Sequence, residues 1–404
     1  MSGAQHNLVA DLRGASRLVV DATLGVTGIV EAMHGTIAGL GGRLPGSSNE
    51  QTRGLTGFVY RCVGGVTRLV GDGLDLALRP IATLTGTRPS APGRETALAI
   101  VNGVLGDHLA ATGNPLAITM CLRQDGRPLA LHRRAIRAAI PGAGGRILIQ
   151  AHGLCMHDLH WGRGGHDHCA TVARELGYTP LQLHYNTGRS IADNGRDFAE
   201  LLETLLEEWP APVEELGIVA HSMGGLVARS AHYQGMAAGH GWPARLGKLV
   251  FLGTPHHGAP LERAGNQFDL LLGRTPYTVP FTRLGRMRSA GITDLRYGSL
   301  LHADWGDVDR YAKVPPERRT PVPLPAGTEC FAVAAVRGER HDTPAARLMG
   351  DGLVPVASAL GDHADERFAM RLSEQARWVR SGLGHLDLLS DPAVYVQVRR
   401  WLAA

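Results

Sequence analysis

Residues 214–230 read E-E-L-G-I-V-A-H-S-M-G-G-L-V-A-R-S. Leu216 to Ala220 is a short apolar run of strand type, and Gly224-Gly225 with Leu226, Val227 and Ala228 opens a helix. Ser222 sits between them, with Ala220 two places before and Gly224 two after. Strand and helix nearly touch at so tight a turn, so only small residues fit at those two places and the hydroxyl is forced outward above the sheet edge. The N–H of Met223, at the start of the helix, points to the same spot, where it can stabilise an oxyanion.

Working outward, strand and helix alternate around this turn. Arg146–Gln150, Leu181–Tyr185, Lys248–Leu252 and Cys330–Val336 read as strands. Ala170–Leu176, Ile191–Trp209, Met223 to about Gly235 and Pro392–Leu402 read as helices. A helix at about 95–111 and a hairpin around Asp125-Gly126 precede them. The expected fold is therefore α/β, a mostly parallel, doubly wound sheet after an antiparallel start. In such sheets the site lies beyond the carboxyl ends of the strands. Ser222, His152-Gly153 and Thr254-Pro255 all follow strand ends. Residues 259–325 break the pattern, with a helical piece at 261–272, and are expected to form a lid-like insertion.

The segments H-G-L (152–154), A-H-S-M-G-G (220–225), L-G-T-P-H-H-G (252–258), G-D-G-L-V-P (350–355) and G-H (384–385) together resemble the α/β-hydrolase superfamily, in its lipase-like and PGAP1-like serine esterase branch. The resemblance spans about residues 115–402 and keeps the order Ser, Asp, His. Ala220 departs from the glycine commoner in the family. What it implies is an α/β-hydrolase fold and a serine hydrolase that cleaves carboxylic esters, of lipid type, through an acyl-enzyme. Ser222 would be the nucleophile, His385 the base, and Asp351 the acid that orients the imidazole. Leu154 and Met223 would supply the oxyanion hole. His221 adjoins the serine but should point away, and Asp387 and Asp342 are weaker rivals for the acid. His152, Gly153, Trp161, Tyr185 and His256 are expected to line the substrate pocket. Amidase, thioesterase or acyltransferase chemistry would use the same triad. A non-catalytic binding or scaffold protein on the same fold is the alternative of a different class.

Residues 152–169 also crowd His152, Cys155, His157, His160, His166, His168 and Cys169 together, but their spacing matches no standard zinc pattern. No metal and no cofactor are expected. Five scattered cysteines read as reduced thiols, and with no secretory leader apparent the chain is expected to be cytoplasmic. Its 404 residues, 44% hydrophobic, suffice for one large domain with an accessory piece. Net charge is +4 without clusters of arginine and aromatic residues, so nucleic acid is not an expected partner.

The accessory piece is residues 1–90, ahead of a hydrolase domain at 91–404, with Thr87–Gly93 as linker. Spacings of three and four over 8–40 and 55–84 predict two amphipathic helices paired as a hairpin. Charges interrupt both, so neither holds the ~18 uncharged residues of a membrane span. Leu12, Val19, Val26, Met33 and Leu40 recur every seven residues, a stripe that needs cover. The hydrolase domain, self-association and peripheral membrane contact through residues 8–84 are the covers considered, and because the polar positions are not strongly basic, packing on protein is expected over lipid.

Overall fold

The computed structural model describes residues 5–39, 54–86, 88–259, 288–310 and 318–404. β1 (Gln5–His6) pairs antiparallel with β2 (Arg88–Pro89), and α1 (Leu8–Gly39) and α2 (Gly54–Leu84) lie between them in sequence. Next come α3 (Pro92–Ala111), β3 (Cys121–Gln124), β4 (Arg127–Pro128), α4 (Arg133–Ala139) and β5 (Arg146–Ala151). α5 (His168–Leu176), β6 (Thr179–His184), α6 (Ile191–Glu208), β7 (Glu215–His221), α7 (Met223–Ala238) and β8 (Leu246–Leu252) then alternate. β9 (Glu329–Val336), β10 (Arg377–Ser381) and α8 (Pro392–Ala403) end the chain.

The main sheet has eight strands in the order β10-β9-β8-β7-β5-β6-β3-β4. From β10 to β6 every neighbouring pair is parallel, while β3 and β4 are antiparallel. Asp125 and Gly126 both adopt positive φ (49° and 75°), the turn type that suits a two-residue hairpin. Strands covered on both faces need continuous apolar runs, and β5, β7 and β8 have them. Ile147, Ile149, Ile218 and Leu249 pack with Phe198, Leu202 and Leu226 of α6 and α7. On the other face Leu148, Val219 and Val250 pack with Val172 of α5 and Val394 and Val398 of α8. This is the doubly wound α/β-hydrolase arrangement, with β7 and Ser222 near its centre.

The hairpin helices pack closely where Gly71 faces Val20, since a Cβ at Gly71 would lie 2.7 Å from Val20 Cγ2. Arg17 and Arg13 both donate to Asp75 (2.7 and 3.0 Å), and these hydrogen bonds lower its carboxyl pKa to about 2. Arg94 at the start of α3 holds Asp11 of α1 at 2.7 Å, and Asn114 donates to the Gly14 carbonyl at 3.1 Å. Among the described residues no helix is long and apolar enough to cross a membrane.

Several boundaries differ from the sequence reading. The expected linker contains β2 and the first turn of α3, with Thr87 outside the described residues. α7 runs past Gly235 to Ala238 and stops at Gly239 (φ 73°). Gly235 instead makes room for Trp242, whose Nε1 would lie 2.9 Å from a Cβ there. Within 259–325, residues 260–287, including the expected helical piece at 261–272, and residues 311–317 lie outside the described residues. The described parts are stitched to the sheet region: Ser289 donates to Gly103 O (2.6 Å), and Ser230 to Leu300 O (2.7 Å).

Candidate active site

Ser222 follows β7 and caps α7 with φ 54° and ψ −125°, a backbone that L residues rarely adopt. Such a residue stores about 1–3 kcal/mol of strain and persists only where its surroundings over-determine it. They do so here. The Ser222 N–H donates to the Leu252 carbonyl at the end of β8 (2.9 Å). A Cβ at Gly224 would lie 2.3 Å from the Ala151 carbonyl, and one at Gly225 2.1 Å from Thr254 Oγ1. Both glycines are required because α7 starts against the ends of β5 and β8.

Asp351 and His385 come from loops beyond the ends of β9 and β10, and the fold brings them together. Asp351 Oδ2 lies 2.7 Å from His385 Nδ1, with the carboxylate fully buried. Its Oδ1 accepts the N–H groups of Leu353 and Val354 (2.9 and 2.8 Å), which fixes the carboxylate plane. A proton on Nδ1 leaves Nε2 as the basic nitrogen of the ring. His221 contacts this unit from behind. Its Nε2 lies 3.1 Å from the His385 carbonyl and the two rings are 4.7 Å apart. Burial holds the His221 imidazole far below its ordinary pKa. With Nε2 donating to that carbonyl, the neutral ring supports the His385 loop. Gly253 is a neighbour the sequence reading did not single out. A Cβ there would lie 3.2 Å from both Asp351 Oδ2 and His385 Cε1.

The loop after β5 closes on the serine from the other side. A Cβ at Gly153 would lie 3.0 Å from Ser222 Cβ. Leu154 follows directly. Cys155 has positive φ (57°), and its N–H donates to Thr187 Oγ1 at 3.2 Å. Met223 is the first residue of α7, where N–H groups have no partner within the helix. The five residues expected to line a pocket, His152, Gly153, Trp161, Tyr185 and His256, are all buried. His152 stacks on Tyr185, whose hydroxyl donates to the His152 carbonyl (2.7 Å), and burial lowers the His152 pKa to about 3. Trp161 lies in the apolar cluster with Val172 and Leu388, and His256 sits 3.3 Å from Arg229. Among the histidines of 152–169, His157 and His160 meet edge to face (ring centroids 4.0 Å), as do His166 and His168 (5.0 Å), while His157 also reaches Thr96 and His168 the Leu388 carbonyl. Among the described residues no group of three or more His, Cys, Asp or Glu is arranged to hold a metal. Asp342 is exposed and paired with Arg340, and Asp387 caps Gly384.

Beneath the loop lies a buried charge relay that sequence reasoning missed. Arg123 of β3 reaches both Glu95 of α3 (3.0 Å) and Asp158 (2.8 Å), and His184 Nδ1 is 3.3 Å from the same Asp158 oxygen. Burial alone would raise the Asp158 pKa, but His184 and the Arg123 charge outweigh it and hold the carboxylate far below its ordinary range. Arg94 links Glu95 onward to Asp11. Nothing in the spacing of these residues signals their meeting.

The parallel sheet order and the strand–serine–helix turn are those of the α/β-hydrolase fold. The family model of the PGAP1-like alpha/beta domain matches residues 183–322, a stretch that includes Ser222 and stops short of Asp351 and His385. No curated protein matches the chain. Among solved structures, the mature lipase BlEst2 of Bacillus licheniformis is similar at 17% identity and TM-score 0.41, over 64% of this chain and 92% of that one. Phospholipase PlaB of Legionella pneumophila is similar at 17% identity and TM-score 0.40, over 65% of this chain and 60% of that one. The esterase Pf2001 of Pyrococcus furiosus is similar at 14% identity and TM-score 0.36, over 64% and 83%.

Proposed function

We propose that this protein hydrolyses carboxylic esters through an acyl-enzyme on Ser222. The observation that carries the reading is the 2.7 Å contact between His385 Nδ1 and a fully buried Asp351, beside a serine held in a strained turn. His385 Nε2 takes the Ser222 proton as Oγ attacks the ester carbonyl. The N–H groups of Leu154 and Met223 hold the oxyanion, each contributing about 3–4 kcal/mol to the transition state. Collapse expels the alcohol, which receives the proton from His385. Water, deprotonated by the same imidazole, then cleaves the acyl-serine to acid and free enzyme. Asp351 stabilises the imidazolium at each step.

The acyl group is of lipid type. Leu348 and Met349, at the end of a short helix before Asp351, and Leu353 and Leu386 expose large aliphatic side chains within three residues of Asp351 or His385 in sequence. Exposed apolar side chains flanking a polar site suit an acyl chain. The test is fluorophosphonate labelling with turnover of p-nitrophenyl esters from acetate to palmitate. Labelling at Ser222 and a preference for longer chains are expected. Wild-type turnover by Ser222→Ala would overturn the mechanism, and a preference for acetate would overturn the lipid-type substrate.

A further inference from the structure

The hairpin carries most of the exposed large apolar side chains among the described residues. α1 exposes Leu12, Val19 and Val26 at seven-residue intervals, and α2 exposes Val59, Val66 and Val70. At 100° per residue the α1 seam lies on the side away from Gly14, which meets Asn114 and Leu116, and the α2 seam on the side away from Gly64 and Gly71, which meet Leu24 and Val20 of α1. The polar tethers leave from elsewhere: Asp11 to Arg94, Arg17 to the Gly113 carbonyl, Asp21 to His108. Ser16, Thr23, Thr27 and Thr67 turn their hydroxyls back onto carbonyls of their own helices, which leaves the surface apolar.

We infer that this face seats a second copy of this chain, two hairpins closing about a twofold axis into a four-helix bundle. Three observations select a protein partner over a lipid surface. Seven-residue spacing is the repeat that interlocking helices need, and a bilayer imposes no such repeat. Among the described side chains of the hairpin none of the exposed large apolar ones is aromatic, and its described residues carry five arginines against five carboxylates with no lysine. An interfacial membrane helix draws on basic and aromatic residues. Finally, the exposed large apolar residues of the hairpin number fourteen. At roughly 60 Å² each they offer on the order of 800 Å² per copy, the share each partner contributes to a standard stable interface. Gly73 on α2, where a Cβ would meet nothing within 4 Å, leaves room for close approach. A twofold axis lets one apolar face cover itself and closes the assembly at two.

The inference is independent of the ester chemistry, and its readout is mass. Light scattering behind size-exclusion chromatography of the full chain should give twice the 43.0 kDa chain mass. The double variant Val19→Glu, Val66→Glu should run as a monomer with an unchanged circular dichroism spectrum. Should the glutamates unfold the hairpin, the milder pair Val19→Ala, Val66→Ala should raise the dimer dissociation constant at least tenfold. A full chain that stays monomeric overturns the inference, as does a dimer indifferent to the alanine pair. A monomer that pellets with phosphatidylcholine vesicles assigns the face to lipid instead.

Discussion

Lowering the pH from 7.5 to 5 should destabilise this fold well before its carboxylates are titrated. His152, His221 and His256 surround the site with side chains at 0–1% exposure. Burial lowers the His152 pKa to about 3 and holds the other two far below their ordinary value. A histidine with a depressed folded pKa binds its proton first in the unfolded chain. Its contribution is therefore complete above the unfolded pKa near 6.5 and is lost as pH falls toward the folded value. At pH 5 His152 is still neutral in the fold and has lost about 2 kcal/mol, and His221 and His256 change stability in the same direction. Whole domains are stable by about 5–15 kcal/mol, so a loss of this size is measurable. Asp158 and Asp75, both held low, stay charged at pH 5 and add nothing, while Asp294, raised by burial, opposes the trend weakly. Thermal melts followed by circular dichroism should show the midpoint falling by a few degrees. A midpoint unchanged between pH 7.5 and 5 would refute the assignment of these rings as buried and neutral.

Three substitutions probe the site's framework. Ser222→Gly should abolish ester turnover while raising the melting midpoint, because glycine relieves about 1–3 kcal/mol of backbone strain; a lower midpoint would contradict the strain. Gly253→Ala, at φ 58° with its Cβ 3.2 Å from Asp351 Oδ2, should reduce kcat about tenfold (~1.4 kcal/mol) with KM near wild type. Wild-type kcat would remove Gly253 from the environment of the pair. Arg123→Met leaves Glu95 and Asp158 buried without their shared cation and should lower unfolding free energy in urea by about 3–5 kcal/mol. Adding Glu95→Gln and Asp158→Asn should restore most of it, and no recovery would mean that packing, not charge, was lost.

What was legible in the sequence was local. Apolar runs marked β5, β7, β8 and β9, and small residues around Ser222 marked the turn, because both follow from near-neighbour sterics. β10 escaped notice since R-W-V-R-S at a sheet edge is partly exposed on every residue and shows no clean alternation. α4, an arginine-rich seven-residue helix, carries one buried side chain and hence little periodicity. Relations across the chain were hidden for a different reason. Arg123 meets Glu95 and Asp158 at separations of 28 and 35 residues, and His221 meets His385 at 164. Such pairs are chosen by the folded topology, which no spacing rule encodes. Burial was hidden in the same way: a histidine or tryptophan near a strand end looks the same whether its side chain is exposed or, like those of His152 and Trp161, buried.

The two borders of the main sheet restrict how folded molecules can meet. At one border β4 is two residues long and ends in Pro128, which has no N–H to offer. At the other, β10 carries Arg377 and Arg380, engaged with Asp362 (2.7 Å) and Asp391 (3.7 Å). Short, proline-bearing and charged borders are poor templates for backbone pairing. Concentrating the folded protein should therefore not extend the sheet from one molecule into the next; growth into fibrils would first require one of these borders to come apart.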